Sequence, residues 1–448
     1  MKSALRQLFA GQSIEQFQVW QLVLVIFLIP SNLFIILSKE QGYVSGLLSD
    51  YLLPKLYAVD LALIGLLAIW LWRRKKAGIA GLKRWKWQSG WISAAIVLAG
   101  GGVLVKSLVA WDFDLLSLWY PAKLVLAGSL FVYLASAPPV FKPEKNKVNK
   151  SAQSYLSALA ATVLFQSLVG LYQFFTQKSL LGYWFFGEPN LSNPIGLAKA
   201  NIVGAEYVLP YGTTAHPNVL AGVVAVYMSL LLLFWGTGKN KWLKILRQAA
   251  LLAGIAVLTV SFSLSAWLVL VLGVMLAARQ ASGLPWKTSK VVLAAVIVLV
   301  VIPLGLIYFA PNSQNPSVYR RAALNEAAME MFANYPGLGI GLNRFTAELE
   351  NFYQSPAGEI TRFVQPAHHV GLLWLADTGI AGIGLVAALA VWLYRRRLHR
   401  PVALTALVLS PALALDHYLL TQSAGLLTAA LLAGMLAARY GKTMKPKE

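Results

Sequence analysis

Cysteine is absent from this chain of 448 residues, which excludes disulfides, iron–sulfur clusters and cysteine-ligated zinc. Histidine is scarce, with five in all, so there is little material for any other metal cage. Charge is scarce as well: 12% of residues are Asp, Glu, Lys or Arg, about half the share of a soluble domain. With 58% hydrophobic residues and a mean hydropathy of +0.63, a soluble globular protein is excluded. Disorder is excluded too, because a chain stays unfolded only when it has too few apolar side chains to bury. Acids are the rarer charge, 17 against 38 Lys and Arg, for a net charge of +21. In a soluble protein that excess would point to nucleic acid. Here the basic residues lie between apolar runs, where they set topology instead.

Crossing roughly 30 Å of hydrocarbon takes about 20 apolar helical residues. Twelve such stretches are predicted, at about 18–38, 56–72, 91–110, 119–137, 153–176, 215–236, 245–261, 263–279, 289–310, 367–394, 401–415 and 421–438. The seventh and eighth are separated by almost nothing, so eleven spans is the alternative. The positive-inside rule favours twelve with both termini inside. The segments then cytoplasmic hold 28 of the 38 basic residues and only Glu15, Glu144 and Glu448 among the acids. The first apolar stretch has no small-residue cleavage site after it and is expected to stay as an anchor. The expected fold is all-α and polytopic, with a structured extracytoplasmic loop. It divides into 1–150 (spans one to four and basic cytoplasmic loops), 151–310 (spans five to nine with outer loop 177–214), 311–366 (an outer loop with an amphipathic helix) and 367–448 (the last three spans and a basic tail).

Ionisable residues inside spans tend to face a cavity or a partner. Asp60, Lys106, Lys123 and Asp416 each fall about one turn from the outer end of a span, which predicts an outward-facing polar cavity. In the loop 311–366, Leu324, Ala328 and Met331 make one stripe of a helix over Arg321 to Phe332, with Arg321 and Asn325 sharing a face. A guanidinium at a helix N-terminus opposes the dipole, so Arg321 calls for an anion: Glu188, Glu206 or a substrate. Pro336-Gly337-Leu338-Gly339-Ile340-Gly341 follows as a glycine-rich turn. It lacks the dinucleotide fingerprint, because Arg344 occupies the offset of the third glycine, and no cofactor is expected. Pro366 precedes His368 and His369, and proline favours the first helical position. That predicts His368 in the first turn of the tenth span, kept neutral by the helix dipole and able to accept a proton. His216-Pro217-Asn218 similarly predicts the start of the sixth span.

Three stretches carry a family resemblance: Tyr211-Gly212-Thr213-Thr214-Ala215-His216-Pro217-Asn218-Val219-Leu220-Ala221; Arg321 through Tyr335-Pro336-Gly337-Leu338-Gly339-Ile340-Gly341 to Phe345; and His368 followed by Leu372, Leu375, Ala376, Asp377, Thr378 and Gly379. In order and spacing the sequence resembles the bacterial O-antigen ligase and O-antigen polymerase superfamily, with His369 in place of the family's Asn and Asp377 in place of its Glu. Asp416-His417-Tyr418 is similar to a subset of that family. The resemblance covers roughly 165–438; earlier residues match only as generic spans.

It implies an inverting, metal-independent glycosyltransferase of the bacterial cytoplasmic membrane, acting in cell-envelope or lipopolysaccharide synthesis with its active site outside. The donor would be an undecaprenyl-diphosphate-linked glycan and the acceptor a hydroxyl of a glycan, lipid or protein. A neutral His suits the general base and a planar guanidinium the diphosphate, which makes His368 and Arg321 the expected catalytic pair. His216, Asn218, Lys199, Asn325, His369, Asp377, Asp416 and His417 are the expected substrate-binding residues. Where the family usually carries two further arginines, this chain has Leu209 and Leu264. Two rival readings remain. Twelve spans also fit a secondary transporter, whose site would lie at the bilayer midplane between repeats. The absent arginines fit a non-catalytic lipid-linked-glycan-binding protein. The enzyme reading requires His368, Arg321 and His216 around one outward cavity.

Overall fold

In hydrocarbon, backbone amides have no partners but one another, so long apolar runs become helices. The computed structural model describes residues 11–76, 115–136, 150–193, 196–235, 240–282, 316–353 and 364–440. Its helices are α1 (Gly11–Leu28), α2 (Ala58–Lys76), α3 (Leu115–Ser136), α4 (Lys150–Thr176), α5 (Pro217–Leu233), α6 (Lys241–Ser261), α7 (Leu264–Ser282), α8 (Pro316–Asn334), α9 (Phe345–Phe352), α10 (Val370–Arg395), α11 (His399–Leu415), α12 (Tyr418–Thr421) and α13 (Ser423–Tyr440). Among the described residues five helices are long and apolar enough to cross a membrane, and four shorter ones are apolar. The expected spans 91–110 and 289–310 lie outside the described residues, and each of the others falls on a helix. The protein is an all-α polytopic membrane protein.

The first span is displaced from its expected bounds, ending at Leu28 rather than near 38. Pro30 cannot continue the amide ladder. The chain instead turns into two small antiparallel pairs, β1 (Phe34–Ile36) with β4 (Lys55–Tyr57) and β2 (Tyr43–Val44) with β3 (Leu47–Leu48), and a third pair, β5 (Lys199–Ile202) with β6 (Ala205–Val208), lies between α4 and α5.

Helix α5 is the hub, buried along nearly its whole length and packed by α4, α6, α7 and α13. The outer helices expose apolar side chains instead: Leu252 on α6, and Ile380, Ile383, Val386 and Val391 on α10. That is the pattern of a lipid-facing surface. Basic ends of the helices gather on one side. Arg73 donates to Gln18 and Glu15, Arg247 to the carbonyl of Trp235 (2.9 Å), and Arg439 lies over Phe234. The hairpins and the segment 177–214 lie at the opposite, loop end, which is where charge patterning places the outside.

Helix α10 is broken. Gly379 takes φ 61° and ψ −156°, a conformation open to glycine, and the turn Pro336–Gly341 fits into the gap. The amides of Ile380 and Ala381 donate to the carbonyls of Pro336 and Gly337 (2.8 and 3.1 Å). In return the amides of Ile340 and Gly341 donate to Ala376 and Asp377 (both 2.9 Å). The polar groups freed by the break thus find partners, as burial demands. The glycine-rich turn is a splice for a membrane helix.

Candidate active site

Two glutamines on α4 set the site's first wall. Gln173 accepts the amides of Tyr211 and Gly212 (3.0 and 2.8 Å) and donates to the Gly212 carbonyl (2.8 Å). Gln166 accepts the Thr213 amide and donates to its hydroxyl (2.9 and 2.7 Å). The chain is thereby fixed up to His216, the N-cap of α5, whose Nδ1 accepts the Asn218 amide at 3.1 Å, with Pro217 in the first turn. The start expected for the sixth span is observed.

Around it lies a cavity of about 410 Å³ whose walls include His216, Asn218, Lys199, Arg321, His368 and Asp416. These come from segments distant in sequence. Asp416, at the C-cap of α11, accepts Asn218 Nδ2 at 2.7 Å through Oδ2 and the His417 amide at 2.9 Å through Oδ1. The same Oδ1 lies 3.9 Å from Nδ1 of His368. His417 stacks edge-on against His368, with centroids 4.7 Å apart, while its Nδ1 meets Thr421 Oγ1 at 2.7 Å. Tyr51, from the hairpin region, packs on the far side of His417 at 5.2 Å.

The placement of His368 differs from the sequence expectation. Helix α10 begins at Val370, with His369 as its N-cap accepting the Leu372 amide at 3.2 Å. His368 therefore sits before the helix, because the side-chain cap of His369 sets the start in place of Pro366. Its neutrality has another cause than the helix dipole. Burial pushes its pKa well below 6.5, and His417, Arg321, His216 and Arg320 push the same way. Burial also lowers His216, against the opposing pull of Asp416, and brings His417 down to about 4.

Arg321 is also placed differently. Helix α8 starts at Pro316, so Arg321 lies beyond the first turn and does not oppose the helix dipole. It donates to the Leu415 carbonyl at 2.6 Å, at the C-terminal end of α11, where a cation is favourable. Neither expected acid is directed to it. Glu188 accepts the amides of Leu180, Leu181 and Gly182 (2.6, 2.8 and 2.7 Å), and Glu206 pairs with Lys199 at 2.9 Å.

The expected polar cavity of Asp60, Lys106, Lys123 and Asp416 does not form as such. Lys123 and Asp60 pair with each other in a buried site, since two opposite charges deprived of water are held most cheaply together. Lys106 lies outside the described residues, and Asp416 alone reaches the cavity. Asn325 is buried on α8 and lies off the cavity wall. Asp377 turns the other way, accepting the amides of Asn343 and Phe345 (2.9 and 3.2 Å) at the start of α9.

Arg320 also lines the cavity, and nothing in the matched motifs marked it. The doublet Arg320-Arg321, in a segment that charge patterning places outside, was the available signal. Leu209 and Leu264, the two positions where the resemblance led one to expect arginine, line the same cavity. Donor atoms of His368, Asp416 and His417 lie within 4.8 Å of one another and could close on a cation. Two guanidinium groups facing the same space make an anion the more favourable occupant.

No curated protein matches the chain. Residues 218–387, which run from Asn218 on the first wall through both arginines and His368 into the broken helix, match the O-antigen ligase family. With its site at one end of a bundle of membrane helices, the chain carries over residues 218–387 a domain of the O-antigen ligase type, similar to the O-antigen ligase and O-antigen polymerase superfamily.

Proposed function

We propose that the protein transfers a glycan from an undecaprenyl-diphosphate-linked donor to an acceptor hydroxyl, as a ligase or a polymerase, on the outer face of the bacterial cytoplasmic membrane. One observation carries this reading: a single cavity unites His368 with two arginines, His216, Asn218 and Asp416. With Nδ1 toward Asp416, His368 offers Nε2 to the acceptor, an arrangement in which a carboxylate steadies the imidazolium as it forms. The acceptor oxygen bonds to the anomeric carbon as its proton passes to Nε2. The carbon–oxygen bond to the diphosphate breaks with inversion, and the diphosphate leaves with the electron pair. Arg320 and Arg321 hold that leaving charge by paired hydrogen bonds, and no step requires a metal.

The test is turnover by purified protein with a lipid-diphosphate donor. His368→Ala should lower kcat by about 10²- to 10⁴-fold while donor affinity holds, and His369→Ala should do far less. Arg321→Ala should lose more donor affinity than Arg321→Lys, which keeps the charge without the planar fork. Equal effects of the two histidine substitutions would refute the base assignment.

A further inference from the structure

Helices α6 and α7 are joined by Phe262 and Ser263 alone, and Phe262 closes α6 with φ 53° and ψ 25°. A left-handed C-terminal residue is ordinarily glycine, and a bulky side chain there is strained. Burial does not offset that strain, since Phe262 is 59% exposed. What the conformation does achieve is to set an aromatic ring on the wall of the cavity that holds His368 and Arg321. The rest of the turn is uncharged and rich in hydroxyls. Ser261, Ser263 and Ser265 line the same wall, with the hydroxyls of Ser263 and Ser265 3.4 Å apart. A ring among hydroxyls, in a cavity whose cations lie on another element, matches a ligand with an apolar face, a polar rim and an anionic end.

We propose that Phe262 is a platform on which the apolar face of a sugar ring of the donor glycan stacks, fixing that sugar while the arginines hold its diphosphate. The positively polarised C–H bonds of a pyranose face suit the negative face of an aromatic ring. A prenyl chain is the poorer fit, because the serines offer it nothing and lipid-facing apolar helices are close by. The proposal rests on the lipid-diphosphate reading given above.

The experiment measures affinity of the full-length protein for two probes, undecaprenyl diphosphate and undecaprenyl diphosphate carrying one hexose. Phe262→Gly should weaken binding of the hexose-bearing lipid by roughly three- to tenfold, the worth of one aromatic contact. Binding of the bare lipid should not change. Phe262→Trp should keep both affinities. Because glycine relieves the left-handed strain, Phe262→Gly should also melt higher than the parent, so that loss of affinity parts company with loss of fold. Equal binding of the hexose-bearing lipid by all variants would leave Phe262 as a membrane-interface anchor and overturn the platform. A parallel loss for both lipids would assign the ring to the prenyl chain and overturn it as well. If the parent protein binds neither probe, the donor reading itself fails and the platform with it.

Discussion

Around the His368 imidazole stand two arginines, two further imidazoles and one carboxylate, and with water largely removed the balance opposes a further positive charge. The neutral ring is the active form of a base, so a depressed pKa extends activity downward in pH. As pH falls through 6.5, kcat/KM should hold, and it should be lost only well below that value. A bound diphosphate brings negative charge that favours the imidazolium, so the acidic limb of kcat should lie at higher pH than that of kcat/KM. Arg320→Gln removes one opposing charge and should move the kcat/KM limb upward. Profiles of both constants for parent and variant check this; a single shared limb at or above 6.5 would remove His368 from the role. Arg320 was hard to see in the sequence because a motif fixes one arginine of a doublet and leaves its neighbour unremarked. His368 was visible as a residue yet misplaced by a turn, since a histidine cap competes with proline for the helix start and the pattern of residue types does not say which prevails.

At the level of elements, the splice between the glycine-rich turn and α10 tolerates no side chain. A Cβ on Gly379 would sit 2.6 Å from the carbonyl oxygens of Pro336 and Gly337, and one on Gly339 would run into the backbone of Asp377 and Thr378. These obstacles are main chain and cannot swing aside. Gly379→Ala and Gly339→Ala should each destabilise by at least about 1–3 kcal/mol, whereas Gly337→Ala, with nothing within 4 Å, should melt like the parent. Thermal unfolding of the three variants decides the matter, and similar midpoints would mean that the splice is not needed for stability. The spans themselves were legible because a membrane helix must be a long apolar run, and α8 because its stripe repeats at helical spacing. The splice was not, since glycine spacing alone does not reveal which backbone it approaches. Nor were Gln166 and Gln173, one face of α4 whose amides complete the backbone leading to His216. Buried amides in a membrane helix carry no charge to attract notice. The hairpins near Tyr51 are too short for an alternating pattern to register.

For the molecule as a whole, the absence of cysteine makes every introduced thiol a unique address. Val203, at the tip of the β5–β6 hairpin, and Trp242, at the start of α6, are both well exposed. In spheroplasts, a membrane-impermeant maleimide should label Val203→Cys and spare Trp242→Cys; the reverse pattern would invert the orientation and place the site in the cytoplasm. The break at Gly379 has a consequence on this scale too. Backbone bonds from both sides of the break, Ala376 and Asp377 on one and Ile380 and Ala381 on the other, tie this part of α10 to the turn that follows α8, and so to the helix carrying both arginines, while side chains farther along α10 are exposed and apolar. A bilayer thicker or thinner than the protein's own belt tilts its long helices. That tilt can be absorbed in α10 beyond the splice, away from the level at which base and clamp are held together. Turnover by protein reconstituted in lipids of differing chain length should accordingly vary little, and a steep dependence would show that the splice transmits bending to the chemistry instead of isolating it.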